Sequence, residues 1–174
     1  HAELSGAEHR TADQIAAALA RLGIPFRRGV AGAGLLAELP GPATHGLIAL
    51  RADMDALPIQ EETGLPFASK NPGVMHACGH DGHTAMLLGA AELLAAEADR
   101  PVALRLIFQP AEEVGQGALA MVRAGVLEGV RMIFGAHLDR HYATGTVAIS
   151  DGVVNASTDM FRITIAGQGG HAAR

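Results

Sequence analysis

Gly46-Leu-Ile-Ala-Leu50, followed at once by Arg51-Ala-Asp53-Met-Asp55, is the stretch on which the reading of the fold turns. A short, continuous apolar run is the pattern of a strand covered on both faces. Val102-Ala-Leu-Arg-Leu-Ile-Phe108 and Arg131-Met-Ile-Phe-Gly135 repeat it. Between these runs, Asp81–Ala98 is Ala/Leu-rich with polar residues only at its ends and reads as a buried helix, and Gly117–Ala124 reads as a second helix. Apolar strands alternating with helices predict α/β layers, a mixed sheet flanked by helices. Upstream, Ser5-Gly6-Ala7-Glu8 has the form of a capping box, and Ile15, Leu19 and Leu22 recur at helical spacing until Gly23, so a helix is predicted over 6–22. Val30, the turn Ala31–Gly34 and Leu35–Leu39 predict a hairpin. Asp53 to His76 carries three prolines and is predicted to be mostly loop. From Gly145 the period changes to two: Thr146–Ser150 and Met160–Ala166 read as half-exposed antiparallel strands, the start of a second, α+β element near residue 155.

Composition narrows the function. Of 174 residues 49% are hydrophobic and 18% charged, which is enough to build a core; with 3% aromatics and no Trp, that core must come from Ala, Leu, Val and Ile. A net charge of −5 without any Lys/Arg run argues against a nucleic-acid partner. Ala85–Ala91 and Met132–Ala136 fall far short of the roughly 20 apolar residues that span a bilayer, so no membrane association is expected. The opening His1-Ala-Glu3 is not a signal peptide, and a chain that starts on His rather than Met reads as a fragment or a processed product. The single cysteine, Cys78, cannot form an internal disulfide, so a reducing cytoplasm is the expected compartment.

Chemistry gathers after the strands. Asp53 and Asp55 follow the first apolar run, Glu112 and Glu113 the second, and His137 the third. Carboxyl ends of strands in an open α/β sheet face the ligand crevice, so these groups are predicted to converge. The densest cluster is Met75-His-Ala-Cys-Gly-His-Asp-Gly-His83. Cys78 and His80, one small residue apart, can reach one Zn²⁺, and Gly79 and Gly82 let the backbone bend around it. Alone, Cys78 reads as a small buried hydrophobe; His80 two residues on reverses that. His76 and His83 stand either as ligands or as a helix-start residue and an outer hydrogen-bonding partner. Glu112-Glu113 suits a helix start, or a division of labour in which one binds metal and the other acts as general base. Asp53 and Asp55 are loop-capping residues or metal support. His137 is either a satisfied core histidine or a ligand.

Leu50-Arg-Ala-Asp-Met-Asp-Ala-Leu-Pro58, Met75 to Thr84, Phe108-Gln-Pro-Ala-Glu-Glu113, Gly135-Ala-His137 and Gly167-Gln-Gly-Gly-His-Ala172 resemble the successive motifs of the M20 metallopeptidase family, in particular its aminoacylase-like amidohydrolases, which include hippurate and auxin-conjugate hydrolases. The resemblance runs through essentially the whole chain. It implies a zinc-peptidase-like catalytic domain over 1–154 and the start of a lid and dimerisation domain over 155–174. It implies that Cys78, His80, Glu113 and His137 are metal ligands for two divalent ions, Mn²⁺ or Zn²⁺. It further implies that Glu112 is the general base, that Asp55 supports the metal site, and that His171 reaches a substrate carbonyl across a homodimer boundary. The implied reaction is hydrolysis of an N-acyl amino acid or small amide: the ions hold a water, Glu112 deprotonates it, and protonated Glu112 serves the leaving amine. Three departures stand out. The family's chain continues for about as long again, to a last histidine ligand, and His1-Ala-Glu-Leu-Ser5 starts within what resembles the family's His-Pro-Glu-Leu-Ser segment. Asp139-Arg-His-Tyr142 also replaces an expected proline-containing loop. The 174-residue chain alone is therefore expected to bind metal weakly and to turn over little or nothing. Two rivals remain: a Cys78-nucleophile hydrolase and a non-catalytic metal-binding protein of the same fold.

Overall fold

The computed structural model describes residues 1–42, 46–154, 161–167 and 170. The chain forms two compact units, His1–Asp139 and Arg140–Arg174. In the first, a five-stranded mixed sheet runs in the order β1-β2-β4-β3-β5. The strands are β1 (Phe26–Val30), β2 (Gly34–Leu39), β3 (Leu47–Asp53), β4 (Ala103–Gln109) and β5 (Val130–Gly135); the helices are α1 (His9–Arg21), α2 (His80–Ala96) and α3 (Gly117–Arg123). β1, β2 and β4 pair antiparallel, whereas β3 lies parallel to both β4 and β5.

The hairpin reverses through left-handed Ala31 (φ 54) and Gly32 (φ 92). Gly34 closes it, because a Cβ there would stand 2.4 Å from the Val30 carbonyl oxygen and 2.9 Å from Pro110 Cδ. Period-two alternation along β2 and β4 divides the core into two layers. Leu35, Ala37, Leu104, Leu106 and Phe108 pack with Ile15 and Leu19 of α1 and Leu87 and Ala91 of α2. Leu36, Ala49 and Ile107 pack on the other face with Met121 of α3 and Val126. From β3 the chain goes through α2 to β4 on one side, then through α3 to β5 on the other. The sheet thus has a switch point at β3, the place where open α/β sheets form a crevice at their carboxyl ends.

Four expectations are corrected. Ser5-Gly6-Ala7-Glu8 is not a capping box: α1 begins at His9, and the Glu3 carboxylate accepts from the Arg10 and Thr11 amides at 3.1 and 2.7 Å. Helix α2 is buried on one face only, through His80, His83, Thr84, Leu87 and Ala91, while Leu93 is 73% exposed. An Ala/Leu-rich sequence does not record which side of a helix is covered. Likewise, β5 is apolar yet exposed along Met132, Ile133 and Phe134. In the second unit, 146–150 and 161–166 form no strand among the described residues. Val147, Ile149, Phe161, Ile163 and Ile165 are all exposed. Alternation specifies which face a strand would bury, but a strand also needs a hydrogen-bonded neighbour and a covering layer.

Phe108 and Leu106 are fully buried at the sheet centre. Phe108→Ala is expected to destabilise the first unit by about 3–5 kcal/mol, and Phe108→Leu by less than about 1.5 kcal/mol, as read from urea unfolding. Equal losses would mean that this layer is not close-packed.

Candidate functional site

The carboxyl ends of β3, β4 and β5 lie side by side, and each delivers its acidic or imidazole group into one place, as expected. Helix α2 adds the rest. Its first turn is entered through Gly79 in the left-handed region (φ 82), which side chains other than glycine adopt at a cost. This bend sets half-buried Cys78 and buried His80 on either side of it. Gly82 serves space rather than bending: a Cβ there would fall 2.3 Å from Leu138 Cδ1.

His80, 1% exposed, is the centre of the cluster. Its Nδ1 lies 3.2 Å from Asp55 Oδ1. Its Nε2 faces Glu113 Oε1 at 3.7 Å, Asp53 Oδ2 at 3.6 Å and Glu112 Oε2 at 3.9 Å. A ring that donates Nδ1–H to a carboxylate leaves Nε2 as the basic nitrogen, the arrangement found behind metal-ligating histidines. Burial works against a charged His80, but the hydrogen bond to Asp55 and the charges of Asp53, Asp55 and Glu113 outweigh it and raise its pKa. Asp55 is equally enclosed. Burial alone would raise its pKa, but hydrogen bonds from His80, the Ser5 hydroxyl (2.6 Å) and the Glu113 amide (3.1 Å) hold it well below the ordinary 3.8.

One ligand atom each from Cys78, His80 and Glu113 lie within 4.8 Å of one another. His137 adjoins them, its Nε2 3.4 Å from Cys78 Sγ and its Nδ1 2.7 Å from the Leu138 carbonyl oxygen. Burial, then the charges of Glu113 and Glu112, push the Cys78 thiol up to about 11. The Glu113 carboxyl is raised, first by burial and then by Glu112 and Asp55. Glu113 Oε1 is buried and has no hydrogen-bond partner among the described residues. Sulfur, imidazole nitrogen and an unanswered carboxylate oxygen in one shell fit a divalent cation, whose charge would offset the crowding of acids. Glu112 stands beside them with its side chain 39% exposed, open to solvent.

Asp53, His80 and His83 also come within 4.8 Å, but His83 has both nitrogens engaged. Its Nδ1 meets Asp53 Oδ1 at 2.6 Å, and its Nε2 accepts from the Leu138 amide at 2.9 Å. Asp53 is further held by Arg51 at 2.7 Å. His83 is therefore the outer partner that the sequence left open, and it fixes the backbone next to His137. Asp53 supports this link and does not cap a loop. The sequence reading missed Ser5, and a polar residue fifty positions from its acceptor leaves no local signal. His76 is half-buried with Nδ1 unpartnered among the described residues. His171 lies outside the described residues.

Asp55 sets a pH signature. Its folded-state pKa is depressed, so its stabilising contribution is fully present above the unfolded value of 3.8 and is lost as pH falls from there through the folded value. Asp55→Asn should therefore lose stability at pH 7 and show a smaller fall between pH 6 and pH 3 than the wild type in urea titrations. Parallel pH curves would remove Asp55 from this role.

Residues 49–170 match the peptidase family M20/M25/M40. The chain is 47% identical over 172 residues to the N-acetyl-L-cysteine deacetylase of Bacillus subtilis (strain 168), covering 98% of this chain and 41% of that protein. It is 46% identical over 175 residues to the N-acyl-L-amino acid amidohydrolase of Geobacillus stearothermophilus, covering 99% and 47%. The crystal structure of the Bacillus subtilis YXEP protein, described as a dinuclear metal binding peptidase from the M20 family, superposes with a TM-score of 0.76 at 48% identity, over 80% of this chain and 39% of that one. The chain thus spans less than half the length of each relative, and across its own length it belongs to the M20/M25/M40 peptidase family.

Proposed function

We propose that the protein is a metal-dependent amidohydrolase that cleaves the amide bond of N-acyl amino acids or related small amides. The observation that carries this reading is the convergence of Cys78, His80 and Glu113, with Glu113 Oε1 buried and without a hydrogen-bond partner among the described residues and Glu112 open beside them. Relatives named as a deacetylase and an amidohydrolase of acylated amino acids, at 46–47% identity, support the substrate class, and a neighbour named as dinuclear supports two divalent ions. Cys78, His80, Glu113 and His137 would hold them, with Mn²⁺ and Zn²⁺ both suited to a mixed sulfur, nitrogen and oxygen donor set. When bound, such ions supply Lewis acidity and make water a better nucleophile at neutral pH.

The residues themselves do the rest. Glu112 takes a proton from the attacking water as its oxygen bonds to the amide carbon, then returns that proton to the amine as the carbon–nitrogen bond breaks. Asp55 holds His80 in one tautomer and orientation, and His83 does the same for the chain beside His137. We read 155–174 as the start of a lid through which the protein forms a homodimer, with His171 as its contact to the substrate carbonyl. A lone cysteine suits a cytoplasmic setting. The thiol-nucleophile rival is disfavoured. A catalytic thiol needs a lowered pKa and a positive environment, whereas burial, and then the neighbouring carboxylates of Glu113 and Glu112, push Cys78 up.

The full-length protein is expected to hydrolyse members of a panel of N-acetyl and N-benzoyl amino acids with Mn²⁺ or Zn²⁺, to stop in excess chelator and to recover on metal addition. Glu112→Gln should keep metal binding while lowering kcat by about 10²–10⁴. Metal binding without turnover anywhere on the panel would favour the non-catalytic reading.

A further inference from the structure

Glu8 is a carboxylate with no exposed surface, placed just before α1 and outside the ligand cluster. One of its oxygens accepts from the Ala111 amide at 2.8 Å, a bond that crosses 103 positions of sequence. The other, Oε2, is buried and has no partner among the described residues. A buried carboxylate answered by so little is destabilising in itself, and helix α1 does not need it, since Glu3 caps the first amides. What Glu8 holds is the segment that carries Glu112 and Glu113.

Ala111 sits at φ 50, a region that alanine rarely adopts. Its carbonyl oxygen closes the loop by accepting from the Gln116 and Gly117 amides at 3.3 and 3.0 Å. Gly117 packs so tightly there that a Cβ would meet the Pro110 carbonyl oxygen at 1.6 Å. The loop is therefore a closed ring held through the Ala111 amide by Glu8 and through the Glu113 amide by Asp55. Three residues earlier, Ser5 holds Asp55, which in turn accepts from the Glu113 amide. The same amino-terminal turn thus grips both acidic loops.

We propose that Glu8 is a positioning residue that fixes the Ala111–Glu113 segment, and with it Glu112 and Glu113 relative to Asp55 and His80, through its hydrogen bond to the Ala111 amide. This rests on reading Glu113 as a metal ligand and Glu112 as the base. The test compares wild type, Glu8→Ala and Glu8→Gln in the full-length protein by three readouts: amide exchange across Ala111–Glu113 without metal, Mn²⁺ affinity by calorimetry, and kcat against KM on the acyl amino acid panel. Loss of this hydrogen bond predicts about tenfold faster exchange and about tenfold weaker Mn²⁺ binding in Glu8→Ala, with kcat falling and KM nearly unchanged. Glu8→Gln keeps an acceptor oxygen and should restore exchange and affinity to within about threefold of wild type, which is within ordinary context dependence.

Wild-type exchange and affinity in Glu8→Ala overturn the proposal. So does a Glu8→Gln protein that melts like wild type yet exchanges at this segment as fast as an alanine variant should. If Glu8→Ala does not fold, Glu8→Gln decides by that same exchange measurement. A wild type that binds Mn²⁺ and hydrolyses nothing defeats the amidohydrolase reading alone, and exchange and affinity still decide the role of Glu8.

Discussion

Withdrawing a carboxylate from water costs several kcal/mol unless hydrogen bonds replace the lost solvation, and Asp55, 1% exposed at the end of β3, meets that condition through contacts from three separate stretches of chain. Ser5 comes from the amino-terminal turn, His80 from α2 and the Glu113 amide from the loop after β4. Because each donor has to be in place for the charge to be tolerated, Asp55 ties the relative positions of these stretches to the stability of the fold. The imidazole that it orients is the one around which Cys78, Glu112 and Glu113 gather.

A second carboxylate works in parallel. Asp53 binds His83, and His83 reaches the Leu138 amide, so the strand end that carries His137 is tied to α2. The two aspartates lie on the same strand end but serve opposite sides of the crevice, β4 through Asp55 and β5 through Asp53. This division follows from the sheet order, in which β3 stands between β4 and β5. The arrangement explains how an acidic, partly buried cluster coexists with a folded core: its charges are fixed by hydrogen bonds from the scaffold, and one atom proposed for metal, Glu113 Oε1, has no hydrogen-bond partner among the described residues.

The exposed apolar surface has a simple geometry. Met86 and Leu93 of α2 and Met132, Ile133 and Phe134 of β5 are all open to solvent. The same chain spans less than half the length of its relatives, and the alternating segments of the second unit also lie exposed.

Much of this was legible in the residues themselves. Continuous apolar runs located β3, β4 and β5 with the acids and the histidine that follow them, although the cover on both faces that such runs imply is missing from β5. Cys78 and His80 were marked by their chemistry and one-residue spacing. The sequence could not separate ligand from supporting partner at His83, because that depends on whether Nε2 is already taken by Leu138, fifty-five positions away. Nor could it show that Ser5 and Glu8, which have the pattern of a local helix cap, point instead to Asp55 and Ala111. Local propensity and periodicity are properties of neighbours in the chain, and so the sequence alone determined the elements and the chemistry at their ends. Which polar atoms satisfy one another is a property of neighbours in space, and only the tertiary structure decided it.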